Sequence, residues 1–401
     1  MPRPYDLGAL GQGWGGPEAN GPEMLDTFLD HKDVLWGFLV ALGVVLALTP
    51  AVGGVARIFG VLDDPAADTR RMHLRPVPRL GGLALFLAVI VPALAFIPLD
   101  GPYRGILLGA AVATTVGVVD DTMRLPWWAK LVGQFGAAAI AVGFGVVLDR
   151  FTFPVIGVQE LPDVGAWLLS IVWIVAIMNM VNFVDGMDGL AAGICGISGA
   201  TFSIIALSLG KPEAAVLSAV IAGACFGFLR SNFYPARIFM GDSGAMLLGF
   251  TLATVSIQGL LKTAATVALF VPLLALAVPI IDTSFVVAKR LKYGLPVWRA
   301  DRWHLHHRFA NIGFSQRRAV LYLWAWCAIL AGAALATRFL PFRAHGHWNL
   351  WPTVAVSLIA LVAIAASMYV VIVLEILKLR RIREWGIWRH ESERRRERRT
   401  A

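Results

Sequence analysis

The sequence is poor in charge and in cysteine. Asp, Glu, Lys and Arg make up 15% of its 401 residues while 58% are apolar, and the mean hydropathy is +0.70. Soluble domains carry about 25% charged and about 45–50% apolar residues, so this deficit excludes an ordinary water-soluble enzyme. The three cysteines, Cys195, Cys225 and Cys327, stand far apart in apolar runs. That excludes a disulfide framework and a thiolate metal site, and leaves them as small buried hydrophobes. Repeats of about 20–50 residues, a serine triad and a Walker loop are also missing.

Long apolar runs are what the chain has instead. Crossing a hydrocarbon core takes about 17–25 residues of helix. Eleven spans are predicted, near residues 34–56, 80–98, 103–119, 126–147, 164–183, 189–209, 213–230, 244–261, 264–288, 319–338 and 351–377. The fold class is therefore all-α, a polytopic integral membrane protein. With the N-terminus outside and the C-terminus cytoplasmic, 27 of the 35 basic residues fall inside, as the positive-inside rule requires. The net charge of +9 then reflects topology and calls for no nucleic acid.

Residues 1–33 are rich in glycine, proline and acid, lack a basic n-region, and are expected to be a disordered outer tail. Residues 34–377 form one transmembrane domain whose cytoplasmic loops are 57–79, 120–130, 183–189, 230–243 and 289–318. The stretch 378–401 is a basic tail with Trp385 and Trp388, suited to anionic headgroups.

The scarce polar residues concentrate in those inner loops, where carboxylates at a membrane edge point to function. Asp120 and Asp121 close the third span and Lys130 opens the fourth. Adjacent acids repel unless a cation compensates, and a hard divalent ion bridging substrate phosphates would do so. In Asn179-Met-Val-Asn182-Phe-Val-Asp185-Gly-Met-Asp188-Gly189, polar groups recur every three residues along one side of a helical approach. Before the eighth span comes Asn232, then Phe239-Met-Gly241-Asp242-Ser243-Gly244. Asp242 is expected at a helix N-terminus whose unpaired N–H groups attract phosphate while the carboxylate holds a metal. His304, His306, His307 and Arg308 lack the companions of a closed zinc site and suit phosphate and sugar contacts. Arg79, in the shaped Pro-Arg79-Leu-Gly81-Gly82 turn, suits an anionic lipid head or a diphosphate. Asp282 is a further acid inside the ninth span. This inventory describes metal-assisted phosphoryl chemistry on an anionic, membrane-resident substrate.

With these motifs in this order, the sequence resembles the polyprenyl-phosphate N-acetylhexosamine-1-phosphate transferases, in the branch of the WecA and TagO types, with the MraY type more distant. The resemblance runs from about Arg57 to Arg318 and extends to the eleven-span topology. It implies transfer of N-acetylglucosamine 1-phosphate from its UDP donor to undecaprenyl or decaprenyl phosphate, with release of UMP. Magnesium, replaceable by manganese, is the implied cofactor. The implied setting is the bacterial cytoplasmic membrane, with the active site facing the cytoplasm, in a monomer or a homodimer. By the same resemblance Asp120, Asp121, Lys130 and Asp242 are catalytic, with Asp242 and Asp121 on the metal. Asn182, Asp185, Asp188, Asn232 and Phe239 line the nucleotide site, while Arg79, His304, His306, His307 and Arg308 contact the rest of the substrates. A phospho-N-acetylmuramoyl-pentapeptide transferase is the neighbouring alternative. A secondary transporter, from another class, would need polar groups at the bilayer midplane, whereas these lie at an edge.

Overall fold

The computed structural model describes residues 30–63, 76–153, 157–261, 270–292, 309, 313–340, 343–344 and 347–370. Along them run α1 (Lys32–Ile58), α2 (Gly81–Phe96), α3 (Gly101–Met123), α4 (Trp127–Gly143), α5 (Asp163–Val184), α6 (Leu190–Ser208) and α7 (Pro212–Asn232). Then follow α8 (Gly241–Ser256), extended by a wider turn over Ile257–Leu261, α9 (Phe270–Ala275), α10 (Ala277–Lys292), α11 (Gln316–Phe339) and α12 (Leu350–Val370). Three short antiparallel hairpins join them. They pair β1 (Leu62–Asp63) with β2 (Val77–Pro78), β3 (Arg150–Phe153) with β4 (Gly157–Glu160), and β5 (Arg343–Ala344) with β6 (His347–Trp348).

Helices dominate because lipid offers no partner to an open N–H or C=O, so each segment must satisfy its own backbone. Among the described residues eight helices are long and apolar enough to cross a membrane: α1, α3, α5, α6, α7, α8 with its wider turn, α11 and α12. The chain is a multi-pass membrane protein. The eleven expected spans begin within a few residues of observed helices, except at 264–288, but not all match a continuous helix of spanning length. Helix α2 has 16 residues and α4 has 17. The segment expected at 264–288 is divided at Leu276. Pro279 has no N–H to offer the carbonyl of Ala275 four residues earlier. That carbonyl accepts instead from Ser198 Oγ at 2.8 Å and from Cys327 Sγ at 3.8 Å.

Helix α8 stands at the centre. Nearly all its residues are buried, against few in α12, and it packs on α2, α3, α5 and α6. In its middle the hydroxyls of Thr251 and Thr254 need no outside partner, since they donate to the carbonyls of Leu247 and Phe250 at 2.8 and 2.9 Å. Around it α1 packs on α7, α7 on α6, α3 on α4, and α10 on α5. The ends of α3, α5 and α7 and the starts of α2, α4, α6 and α8 meet at one end of the bundle.

Small residues set these helix approaches. A Cβ on Gly223 of α7 would overlap the carbonyl of Phe38 on α1, whereas one on Gly136 of α4 would meet nothing. Gly223→Ala is therefore expected to lower stability by about 1–3 kcal/mol as overpacking. Gly136→Ala should be neutral or stabilising by up to about 1 kcal/mol through helix propensity. Thermal unfolding of the two variants in the same detergent checks this; equal midpoints would refute the close α1–α7 approach.

Candidate active site

The site is built on the first turn of α8. Gly241 opens the helix at φ 70°, a left-handed conformation that glycine adopts without strain. A Cβ there would also overlap the carbonyl of Arg79 and the carboxylate of Asp121. The next two residues present their N–H groups to Asp121, at the end of α3. Asp242 N–H donates to Oδ1 at 2.9 Å, and Ser243 donates to Oδ2 through its N–H at 3.1 Å and its Oγ at 2.8 Å. The Arg79 guanidinium lies 3.5 Å from the same carboxylate, whose side chain is 0% exposed.

This geometry changes two expectations. The N–H groups of Asp242 and Ser243 are not open to phosphate, because Asp121 already accepts them. Asp121 itself, expected beside Asp242 on a metal, is enclosed against α8, and neither of its oxygens faces solvent. Two adjacent acids on a helix diverge by about 100°, so Asp120 points elsewhere. Its Oδ1 accepts the Leu125 N–H at 2.8 Å and its Oδ2 accepts from Lys130 at 3.2 Å.

Lys130, near the start of α4, also donates to Asp242 Oδ2, and Asn182 Nδ2 of α5 donates to Asp242 Oδ1 at 2.8 Å. The Asp242 carboxylate is thus gripped from two sides by two helices. Asp120, Lys130, Asp242 and Arg79 each keep part of their side chain exposed, so these are among the charged groups that a ligand reaches.

The other predicted residues divide between holding the walls and facing the site. Asn232, 2% exposed, accepts the Gly189 N–H at 3.1 Å and donates to the Ile238 carbonyl at 3.0 Å. Asp188 accepts the Ala236 N–H at 2.9 Å. Both therefore tie the α5–α6 turn to the α7–α8 connection, which is a structural use of residues expected on substrate. Gly189, at φ 79°, makes that turn feasible. Phe239 is half-buried, with its N–H on the Pro78 carbonyl at 2.8 Å and its own carbonyl accepting from Gly81 at 3.0 Å. The Arg79 turn is thereby fastened to the α8 approach, with Arg79 lying 3.5 Å from Asp63 as well. His304, His306, His307 and Arg308 lie outside the described residues. Asp282 is buried in α10, which packs on α5 and α11.

The cluster holds more negative than positive charge. Burial would lower the Arg79 guanidinium, but the fields of Asp121, Asp242, Asp63 and Asp185 outweigh it and hold it above its ordinary value. Asp185, just past α5, is pushed up to about 8 by loss of hydration and by Asp242, against a smaller pull from Arg79, with Asp121 and Asp188 adding to the push. Its neutral form is favoured by this environment, and added positive charge would favour the charged one.

Sequence reading missed Ser243, Asp63 and Gln134 as members of this assembly. Ser243 and Gln134 carried a signal, one within Gly-Asp-Ser-Gly and the other as an amide one turn past Lys130 in an apolar run. Asp63 carried none.

Could these residues hold a divalent cation? The partly exposed carboxylates of Asp242 and Asp120 supply hard oxygen donors, and one oxygen of each meets the Lys130 ammonium, itself a cation. Among the described residues no group of three or more His, Cys, Asp or Glu is arranged to hold a metal ion. The chemistry of the two carboxylates is still that of a magnesium ligand, since this ion takes only one or two from protein and completes its shell from water and substrate phosphates.

The two acids of the pair are expected to fail differently. Asp121→Ala leaves two backbone donors of α8 unpaired, since the Ser243 hydroxyl can turn to the Met240 carbonyl at 3.3 Å. At about 1–3 kcal/mol for each group that stays buried, this should lower the thermal midpoint sharply. Asp120→Ala, which frees one half-buried loop N–H and part of Lys130, should lower it much less. Thermal unfolding of both variants decides this, and equal midpoints would contradict the capping role.

The comparisons with known proteins fit this picture. Residues 103–260, which contain the helix ends that carry Asp120, Asp185 and Asp242, match the model of Glycosyl transferase family 4. A Bacillus subtilis protein named "Probable undecaprenyl-phosphate N-acetylglucosaminyl 1-phosphate transferase" is 37% identical over 294 residues, covering 73% of this chain and 81% of that one. The decaprenyl-phosphate N-acetylglucosaminephosphotransferase of Mycobacterium leprae is 34% identical over 339 residues, covering 77% and 85%. The phospho-N-acetylmuramoyl-pentapeptide-transferase of Moorella thermoacetica is 32% identical over 323 residues, covering 76% and 98%. With membrane-spanning helices, an acid cluster at one bundle end and relatives of this identity over most of their length, the chain belongs to Glycosyl transferase family 4.

Proposed function

We propose that this chain transfers N-acetylglucosamine 1-phosphate from UDP-N-acetylglucosamine to undecaprenyl or decaprenyl phosphate. The products are UMP and the polyprenyl-diphosphate sugar that starts a cell-wall or surface polysaccharide. The observation that carries this reading is Asp242, held by Lys130 and Asn182 beside Asp120 at one end of a membrane bundle. Relatives at 33–37% identity that bear polyprenyl-phosphate N-acetylglucosamine transferase names support the choice of substrates. The muramoyl-pentapeptide alternative is less favoured because the His304-Leu-His306-His307 form resembles the other branch.

The site end faces the cytoplasm of a bacterial inner membrane, with the N-terminus outside, because that orientation places 27 of 35 basic residues inside. Eleven crossings fit it, with α2, α4 and the α9–α10 pair completing the eight longer helices. A soluble nucleotide sugar then arrives from the cytoplasm and the lipid from the side.

The chemistry is a single in-line displacement. A phosphate monoester has a second pKa near ~6, so the lipid phosphate is largely dianionic at neutral pH. One of its oxygens forms a bond to the β-phosphorus of the UDP-sugar, and the bond from that phosphorus to the bridging oxygen breaks. The electron pair leaves with UMP. Asp120 positions the acceptor and takes any residual proton. Lys130 carries three donors to share among incoming phosphate oxygens. Magnesium, held by Asp242 and Asp120 together with substrate phosphates, supplies neutralisation of the diphosphate charge when bound. Phe239 offers an aromatic ring for stacking on uracil. His304, His306, His307 and Arg308 complete the diphosphate and sugar contacts.

Asp242→Ala is expected to cut UMP release by at least about 10²- to 10³-fold, and chelation of divalent ions should abolish it until magnesium is restored. A panel of UDP-sugars assayed with polyprenyl phosphate checks both. Undiminished release by the variant would overturn the site, and turnover with UDP-N-acetylmuramoyl-pentapeptide alone would overturn the substrate. UMP exchange into the UDP-sugar without lipid would replace the single displacement by a covalent route.

A further inference from the structure

One turn deeper than the Asp242 grip, a second polar contact joins the same two helices. Gln134 lies four residues after Lys130 on α4, and Asn179 lies three before Asn182 on α5. The two amides meet head to head. Gln134 Nε2 donates to Asn179 Oδ1 at 3.3 Å, and Asn179 Nδ2 donates to Gln134 Oε1 at 2.7 Å and to the Val175 carbonyl at 2.8 Å. Gln134 is 1% exposed.

An apolar pair would fill this position without any amide to desolvate, so packing alone does not account for it. A reciprocal amide pair differs from apolar contact in one respect. Its two antiparallel hydrogen bonds fix both the rotation and the axial offset of the helices that carry them, whereas apolar surfaces slide. Helix α4 meets α8 along little of its length, so the aim of Lys130 at Asp242 is set through neighbours. Asn182 reaches the other Asp242 oxygen from α5.

We propose that Gln134 and Asn179 are positioning residues, an amide clasp that sets the register of α4 against α5 so that Lys130 and Asn182 close on opposite oxygens of Asp242. The clasp touches no substrate. It acts on turnover through the placement of these groups, where a displacement near 1 Å costs about 10²-fold. The inference rests on the proposed transferase reading.

The test is steady-state UMP release by purified full-length protein, with thermal midpoints recorded for each variant. Gln134→Met and Asn179→Leu are each expected to lower kcat by about 10- to 100-fold while KM for UDP-N-acetylglucosamine stays within about twofold. Their combination should be no worse than either, because each alone opens the whole clasp. The exchanged pair Gln134→Asn with Asn179→Gln, which restores two facing amides, should recover most of the lost kcat. Unchanged kcat in either folded single variant, multiplying losses in the double, or an effect confined to KM would overturn the proposal. If the apolar variants do not fold, Gln134→Asn alone, polar but one methylene shorter, carries the test. It should lose kcat about tenfold at the parent thermal midpoint, and parental kcat would overturn the clasp. A parent protein without turnover counts against the transferase reading, whereas an active parent with equally active variants counts against the clasp.

Discussion

The donors at the start of α8 have to be satisfied within protein, because this helix is enclosed along nearly its whole length. Asp121 accepts three of them, and the rest of the site takes its place from that one attachment. Fixing the first turn brings α3 against α8 and calls for glycine at 241. It also draws Arg79 over the buried carboxylate and leaves the Asp242 side chain one direction open. Along that direction stand Lys130 and Asn182. A helix start tied by an acid from another helix is a common device. Here its effect is to aim the carboxylate immediately beside the tie.

The Arg79 turn belongs to the same assembly. It pairs with the approach to α8 through Phe239 and Met240, much as an added strand would, and it carries a guanidinium between Asp63 and Asp121. An arginine there neutralises a carboxylate that is no longer exposed to water. It also pulls against the burial and the neighbouring acids that raise the Asp185 carboxyl. The acids of this end of the bundle therefore fall into separate conditions. Asp121 is enclosed and capping, Asp188 is tied to a loop amide, Asp185 is pushed toward its neutral form, and Asp120 and Asp242 share one lysine.

Much of this was legible in the residues themselves. Apolar run length located the helices closely, and the scarcity of charge singled out the loops that converge. Division of labour within a motif was harder to read. Asp120 and Asp121 look equivalent as letters, yet consecutive positions on α3 face different neighbours. Asn232 and Asp188 carry the functional groups of ligand-binding residues, but their partners are backbone groups some 43 to 48 residues distant in sequence, and only the packed chain supplies those. Hydropathy also read through Pro279, because it registers apolarity and not a missing N–H. Gln134 was passed over because the sequence shows an amide in an apolar run but not the partner that it meets.

Lys130 has one more implication, for the order in which the protein is made and put to use. A cluster of acids that depended on a captured ion would be unbalanced in a newly inserted chain until that ion was found. Here one compensating charge is covalently part of α4, so the bundle reaches its final shape with the repulsion between Asp120 and Asp242 already reduced. Assembly in the membrane and the later arrival of substrates are thereby separate events, and the second does not have to rescue the first.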